Sequence, residues 1–297
     1  MFFIPWIGSK RRLLGEIFDR IPDRIDRWCE PFVGGGSVLF EVLERKKPKE
    51  VLFNDFNPRL INLYSWLKND VDELIRQTRD VCEAYCGNEG VEAREKFYYE
   101  ARDEYNSLPD DSCKKAALML LLIKIAANGL YRENSVGKMN VSFNRDIKRN
   151  PKYEWDVFKK FSDMLSGVDI RCGEYSGCLD FCTPGTFVYL DPPYRNTTTG
   201  YTNSKWNDEK QLELAGFVRE LDSRGCGFLL SNSDSGDGWF DEVYSGFTIE
   251  RVEIQRLISR KVEDRKTINE IMVRNYETER KRNEDGEQTV MWSEFIS

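Results

Sequence analysis

Between residues 28 and 68 the sequence alternates strand and helix patterns, and this alternation restricts the fold more than any other feature. A short strand at 28–31 leads into a run of three glycines, and residues 37–45 then show helical periodicity. A second apolar strand at 51–54 precedes another helix at 59–68, which a proline in its first turn favours. Strands separated by single helices lie parallel, so the pattern predicts an α/β fold with helices on both faces of the sheet.

The rest of the chain predicts that this sheet is interrupted and then resumed. Residues 70–127 show helical periodicity, whereas residues 128–151 are rich in Asn, Gly, Arg and Lys and predict an irregular segment or a hairpin. Further strands are predicted at 168–172, 186–190, 227–231, 247–253 and 267–275, the last two as an antiparallel pair, with a helix at 208–224. The expected division is a sheet domain at 1–69 and 156–276, a helical insertion at 70–155, and a loose charged tail at 277–297 whose apolar residues 290–292 could dock.

Histidine is absent from the 297 residues, which excludes Ser-His-Asp triads, histidine general bases and most zinc sites. The eight cysteines include no Cys-x-x-Cys pair, which indicates free thiols and no metal site. The chain begins unlike a secretory leader, and its longest apolar run, 116–127, is too short to cross a membrane, so we expect a cytoplasmic protein. A net charge of −7 argues mildly against nucleic acid as a partner, although local basic patches decide such binding.

The glycine run between the first strand and helix indicates a bound ligand. Gly34, Gly35 and Gly36 permit a tight turn and close approach of the backbone, and Asp55 ends the next strand, where it can accept hydrogen bonds from ribose hydroxyls. Leu39 stands where a dinucleotide fingerprint needs its third glycine, so a nucleoside cofactor without pyrophosphate fits better. S-adenosylmethionine is the candidate, and a plain tight turn beside a strand-end carboxylate is the alternative that these residues leave open.

A second motif, Asp191–Pro192–Pro193–Tyr194, follows the apolar strand at 186–190. An ionised Asp191 only accepts hydrogen bonds, and the proline carbonyls are also acceptors, so together they suit the two donors of an NH2 group. Tyr194 offers a face on which a planar base can stack. The motif therefore predicts a heterocycle with an exocyclic amine, adenine or cytosine, as substrate; a proline-terminated strand with a surface tyrosine is the alternative.

Taken together, the motifs and their order resemble the Dam-type family of DNA adenine methyltransferases over residues 4–276. The matching stretches, in order, are WIGSK at 6–10, EPFVGGG at 30–36, NDFN at 54–57, NGLYR at 128–132, DPPY at 191–194 and LSNS at 230–233. The resemblance implies a Rossmann-like, S-adenosylmethionine-dependent methyltransferase sheet with an inserted, mainly helical target-recognition domain. It also implies methyl transfer to N6 of an adenine flipped out of double-stranded DNA.

The resemblance assigns roles to individual residues. The residues implied to bind or frame the cofactor are Trp6, Lys10, Phe32, Gly34, Gly36, Asp55, Glu174 and Asp191. Glu174 departs from the pattern, because the family often carries Asp in a Gly-Asp-Phe stretch where this chain has Gly-Glu-Tyr. Asp191 and the Pro192 carbonyl are implied to hold the target amino group, and Tyr194 to stack on the flipped base.

DNA contacts are expected from two basic segments and from the basic start of the first helix, which is predicted near 10–20. Residues 128–160 carry eight basic and four acidic residues, and residues 251–266 six and three, giving +4 and +3. Arg132 is the candidate for reading a guanine, with Leu130 or Tyr131 as a wedge and Asn140 beside them; a solvated basic loop is the alternative. The recognition sequence expected for close relatives is GATC, although Ser142 replaces a usual proline in the hairpin.

Other functions remain compatible with these residues. Amino methyl transfer to cytosine N4, to RNA or to a glutamine side chain uses similar motifs, and glutamine modifiers usually favour Asn at the Asp191 position. A binding protein without activity, such as a restriction partner or phage decoy, is a further alternative, against which the intact Asp191 and Tyr194 argue. We expect a monomer that needs no metal and no membrane and that could belong to a system with a cognate restriction endonuclease.

Overall fold

A computed structural model describes residues 4–146, 150–195, 206–255, 267–282 and 288–293. Its strands are β1 (Arg27–Glu30), β2 (Glu50–Asp55), β3 (Asp169–Cys172), β4 (Thr186–Leu190), β5 (Gly227–Ser233), β6 (Thr248–Gln255), β7 (Thr267–Arg274), β8 (Glu277–Arg282) and β9 (Gln288–Ser293). Its α-helices are α1 (Leu14–Phe18), α2 (Ser37–Arg45), α3 (Pro58–Asn69), α4 (Val71–Cys86), α5 (Val91–Ser107), α6 (Cys113–Ile125), α7 (Trp155–Met164), α8 (Asp208–Ser223) and α9 (Trp239–Val243). Single 3-10 turns lie at Lys10–Arg12, Ala127–Gly129 and Tyr175–Cys178.

Seven strands form one sheet in the order β3-β2-β1-β4-β5-β7-β6. The first five strands of this order are parallel, and β7 pairs antiparallel with both β5 and β6. The direction of winding reverses between β1 and β4, so the loops after these two strands diverge and leave a crevice at their carboxyl ends. This topology confirms the predicted Rossmann-like α/β class and places the glycine run and Asp191 at the same edge.

The helical insertion lies between α3 and α7, as the periodicity predicted. Its central helix, α6, has eleven buried residues and is apolar on all sides, because α3, α4 and α5 all pack against it. The core is continuous from this helix to the sheet: Leu121 of α6 and Phe53 of β2 are fully buried members of one cluster. The insertion and the sheet therefore share apolar packing instead of meeting at a polar interface.

The segment after α6 forms the predicted hairpin. Antiparallel bridges join Ala126 to Phe143 and Glu133 to Met139, and Asn134–Lys138 close the turn between the two arms. We call residues 126–143 the recognition hairpin, after the role that the resemblance implies for this segment. Residues 147–149 of the predicted irregular segment lie outside the described residues.

Two predictions of secondary structure were wrong. The helix predicted near 10–20 is divided into the Lys10–Arg12 turn and the short α1. The charged tail contains a two-stranded antiparallel sheet, β8 with β9, where no regular structure was expected. Charge suggested a loose tail, but residues 289–292 (Thr, Val, Met and Trp) favour strands and can form backbone ladder hydrogen bonds with a charged partner strand.

The packing of α6 yields a stability prediction. Leu121→Ala removes a fully buried side chain and should lower the free energy of unfolding by about 2–5 kcal/mol, because a cavity remains in the core. Urea denaturation followed by far-UV circular dichroism measures this loss. Leu212→Ala makes the same change on α8 at a side chain 53% exposed, and should cost far less. Equal losses in the two variants would contradict the central role of α6.

Candidate active site

A cavity of about 820 Å³ opens at the carboxyl ends of β1, β2 and β4. Its lining includes the loop before Lys10–Arg12, the glycine run, the end of β2, the Asp191–Tyr194 loop and part of the recognition hairpin. Among the predicted site residues, those that line it are Trp6, Lys10, Phe32, Gly34, Asp55, Glu174, Asp191, Pro192, Tyr194, Leu130 and Arg132. Residues from distant parts of the sequence thus meet at the predicted edge of the sheet.

The glycine run is held tightly from both sides. The Gly34 N–H donates to Asp55 Oδ2 at 3.0 Å, and the Gly34 carbonyl accepts from Tyr64 Oη at 2.8 Å. Gly36 has a φ of +68°, and a Cβ there would lie 2.7 Å from Tyr64 Oη. Gly36 therefore does not line the cavity but allows the close packing that shapes it.

Asp55 presents a carboxylate that is already oriented. Its Oδ1 accepts from the Asn57 N–H at 2.9 Å and its Oδ2 from Gly34. Burial raises the pKa of Asp55, and the backbone N–H groups of Asn57 and Gly34 oppose this rise because they stabilise the charged form. The carboxylate oxygens retain acceptor capacity for hydroxyl donors of a ligand.

Apolar surface surrounds this carboxylate, and two of its residues, Ile7 and Phe56, were not predicted. Phe56 and Ile7 line the cavity although 53% and 48% of their surfaces are exposed. Further in, Phe32 packs against Tyr175 with ring centroids 5.2 Å apart and meets Trp206 edge-on at 6.0 Å. Exposed rings beside a carboxylate suit a planar heterocycle that carries a ribose, and the position of Phe56 directly after Asp55 was the available signal.

Asp191 is paired with a buried cation. Lys10 Nζ lies 2.5 Å from Asp191 Oδ1, and the Lys10 side chain is 4% exposed. Ser231 Oγ donates to the same oxygen at 3.4 Å. Burial raises the pKa of Asp191, whereas the Lys10 ammonium and the Ser231 hydroxyl lower it. Ser231 belongs to the LSNS stretch, but its contact with Asp191 was not predicted.

The rest of the DPPY loop is fixed by its side chains and its flanks. Tyr194 Oη accepts from Lys10 Nζ at 3.0 Å and donates to Glu270 Oε1 of β7 at 2.6 Å. Gln211 Nε2 donates to the Pro193 carbonyl at 3.1 Å. No described residue donates to the Pro192 carbonyl, so this acceptor is available within the cavity.

The recognition hairpin places Arg132 and Asn140 together and removes Tyr131 from the surface. Arg132 is exposed, and its Nε donates to Asn140 Oδ1 at 2.9 Å. Tyr131 is only 1% exposed, with its ring stacked on Trp6 at 5.2 Å, so the expectation that it could wedge between bases is wrong. Leu130 is half-buried beside the cavity and keeps access to a ligand.

The basic segments are less available for phosphates than their charge suggested. The basic residues joined to carboxylates are Arg145 to Glu92 and Glu95, Lys159 to Asp72, Lys160 to Glu44, and Arg251 to Asp234 and Asp241. Sequence counting could not detect these pairs, because their partners lie on other elements. Residues 256–266, most of the second basic segment, lie outside the described residues.

Within the described ranges, no group of three or more Cys, Asp or Glu side chains is arranged to hold a metal ion. No helix within them is long and apolar enough to cross a membrane.

Comparison with known proteins identifies the family of this chain. The family model of the D12 class N6 adenine-specific DNA methyltransferases matches residues 6–258. Type II methyltransferase M.MjaIII of Methanocaldococcus jannaschii is 37% identical over 92% of this chain and 98% of its own length. Type II methyltransferase M1.LlaDCHI of Lactococcus lactis is 32% identical over 92% of this chain and 95% of its own length. The DNA adenine methylase of Escherichia coli K12 is 30% identical over 91% of this chain and 93% of its own length. This chain therefore belongs to the D12 class of N6 adenine-specific DNA methyltransferases.

Proposed function

We propose that this adenine-specific DNA methyltransferase takes its methyl group from S-adenosylmethionine bound in the cavity. The observation that carries the proposal is the joint presence of the Asp55 carboxylate, exposed aromatic surface and the DPPY loop in one cavity. Asp55 would accept from ribose hydroxyls, and Phe56 and Phe32 would contact the adenine ring. Trp6 and Glu174 would complete the wall. When bound, the cofactor supplies an electrophilic methyl group on a sulfonium sulfur.

The DPPY loop would hold the target base. Asp191 and the Pro192 carbonyl offer two acceptors for the two N–H donors of an adenine amino group, and this arrangement directs the nitrogen lone pair. The Asp191 carboxylate also stabilises the positive charge that develops on that nitrogen during transfer. Tyr194 is tied at its hydroxyl by Lys10 and Glu270, so its ring can stack on a flipped base without losing its orientation.

Binding of the target base would begin with an exchange of hydrogen-bond partners at Asp191, where Lys10 is now bound. The Lys10 ammonium occupies Asp191 Oδ1, the kind of acceptor that the target amino group needs. The incoming base would displace this contact, while Lys10 keeps its bond to Tyr194 Oη. A buried carboxylate thus has a charged partner before the substrate arrives, which limits the cost of its burial.

The helical insertion with its recognition hairpin, residues 70–155, would read the DNA sequence. The catalytic domain would consist of residues 1–69 and 156–276. Arg132, Asn140 and Leu130 lie where the hairpin meets the cavity. We propose GATC as the recognition motif, a monomeric cytoplasmic enzyme, and a place in a restriction-modification system with a cognate endonuclease. The last point follows from two relatives whose names are type II methyltransferases. Family membership decides among the rival acceptors in favour of adenine N6 in DNA.

The decisive experiment uses purified protein, methyl-labelled S-adenosylmethionine and unmethylated plasmid. Sequencing that detects methylated bases should place the label on adenine N6 within one short motif. Label within a motif other than GATC would overturn the proposed recognition motif but leave the proposed reaction intact. Protein that binds S-adenosylmethionine but labels no DNA would overturn the proposed reaction.

Asp191→Ala should reduce the rate of methyl transfer at saturating substrates by more than about 100-fold, because the amino group loses its charged acceptor. Binding of S-adenosylmethionine, measured by equilibrium dialysis, should be partly retained, because Asp191 is only one of the residues that line the cavity. Asp180→Ala makes the same change at an exposed carboxylate paired with Arg171 and serves as the control. Near-normal transfer by the Asp191 variant would remove this residue from catalysis.

Lys10→Met should shift the acidic limb of the pH–rate profile to higher pH. Lys10 lowers the pKa of Asp191, so its loss raises that pKa further, and the carboxyl group becomes protonated and inactive at a higher pH. The expected shift is about 1–3 pH units, the usual effect of a close opposite charge. Arg11→Met changes the exposed neighbour and should leave the limb in place. If the acidic limb of the Lys10 variant stays in place or moves to lower pH, Lys10 does not support the charged form of Asp191 in catalysis.

Arg132→Ala should weaken discrimination against single-base changes in the motif by about 1–3 kcal/mol at the position it reads. Competition assays with oligonucleotides that differ at one base pair measure this change. Lys138→Ala removes another exposed cation of the same hairpin and should lower affinity similarly for all sequences. If Arg132→Ala also affects every sequence equally, Arg132 contacts phosphate and reads no base.

A further inference from the structure

The recognition hairpin is joined to the cofactor cavity by contacts that the proposed function does not use. Tyr131 stacks on Trp6, with ring planes 20° apart, and Trp6 lines the cavity. The Tyr131 hydroxyl donates to Glu133 and accepts from Tyr105 Oη at 2.9 Å. The first arm of the hairpin is therefore attached to the part of the cavity wall that Trp6 forms.

Arg59, in the first turn of α3, contacts the same hairpin from the other side. Its Nη1 lies 3.6 Å from Glu133 Oε2, and its Nε lies 3.2 Å from Asp110 Oδ1. At the hairpin turn, Gly137 has a φ of +73°, and a Cβ there would lie 3.1 Å from Arg59 Nη2. The guanidinium thus packs beneath the turn and pairs with a carboxylate whose side chain is only 3% exposed.

The start of α3 is in turn tied to the cofactor carboxylate. Asn57 caps the helix, because its Oδ1 accepts from the Arg59 N–H at 3.0 Å. The Asn57 N–H donates to Asp55 Oδ1 at 2.9 Å. A short series of contacts therefore runs from Asp55 through Asn57 and Arg59 to Glu133.

The position of these residues in the hairpin gives them influence over Arg132. Tyr131 and Glu133 flank it in an extended arm, where successive side chains point to opposite sides. Both neighbours are held against the protein, so Arg132 is directed outward, next to Asn140. Residues that hold Glu133 in place therefore also influence the position and orientation of the Arg132 side chain relative to the cavity.

We propose that Arg59 and Glu133 are positioning residues for sequence recognition, which fix the hairpin relative to the methyl-donor cavity. The inference rests on the proposed function, because it assumes that the hairpin reads DNA beside that cavity. Arg59 and Glu133 do not themselves line the cavity, and they act through the hairpin backbone. The ion pair would set the separation between the base pairs that are read and the adenine that is methylated.

The test compares Glu133→Gln and Arg59→Met with the wild-type enzyme. The quantity measured is the ratio of kcat/KM on the mapped motif to kcat/KM on motifs with one changed base pair. In both variants this ratio should fall by about tenfold or more, comparable to loss of one base contact, because the hairpin is no longer fixed. The affinity for S-adenosylmethionine, measured without DNA, should stay within about twofold of wild type, as expected for residues outside the cofactor contacts.

Glu73→Gln is the matched control, since it breaks the exposed pair with Arg76 on α4 by the same exchange. It should leave the ratio unchanged. Thermal denaturation shows whether each variant folds, and the two variants approach one ion pair from different elements, so failure of one to fold leaves the other. An unchanged ratio in a folded variant overturns the inference, as does a fall in all kcat/KM values by the same factor. If the wild-type enzyme methylates no specific DNA motif, the proposed function itself has failed.

Discussion

The ion pair between Lys10 and Asp191 is the interaction on which the arrangement of the active site depends. It joins the N-terminal turn to the end of the central strand β4, and both charges lie in a poorly solvated crevice. Removal of either partner would leave an uncompensated charge, which is far more costly than an exposed ion pair. Through Tyr194 the same ammonium is linked to Glu270, so β7 supports the site as well.

This constraint explains how the site can work without histidine. The transfer that the family performs needs an oriented nitrogen lone pair more than it needs a strong base, because the methyl group is already activated on its donor. Acceptors on a rigid proline-containing loop supply that orientation. The contact from Gln211 to the Pro193 carbonyl and the pairing of Arg195 with Asp208 hold the loop on both flanks of Tyr194.

The helical insertion and the sheet form one continuous body, which holds both the proposed recognition hairpin and the candidate active site. The insertion shares its apolar core with the sheet, and the Trp6–Tyr131 stack and the Arg59–Glu133 pair connect the hairpin to the cofactor side. Such contacts would place the proposed reading residues at a defined distance from the reacting atom. An enzyme that must methylate one adenine within a short motif requires this distance to be fixed.

From the sequence alone, most of the strands and helices, the class of sheet and the chemical groups at the strand ends could be predicted. Periodicity, glycine runs and prolines act over a few neighbouring residues, so Asp55 and Asp191 were identified without a structure. Only the tertiary structure decided that Lys10 pairs with Asp191, that Tyr131 is buried under Trp6, and that β8 and β9 pair in the charged tail. It also decided that Arg145, Lys159 and Lys160 are engaged by carboxylates. Most of these outcomes depend on partners far away in the sequence, and side-chain type alone does not specify which partner the fold brings near.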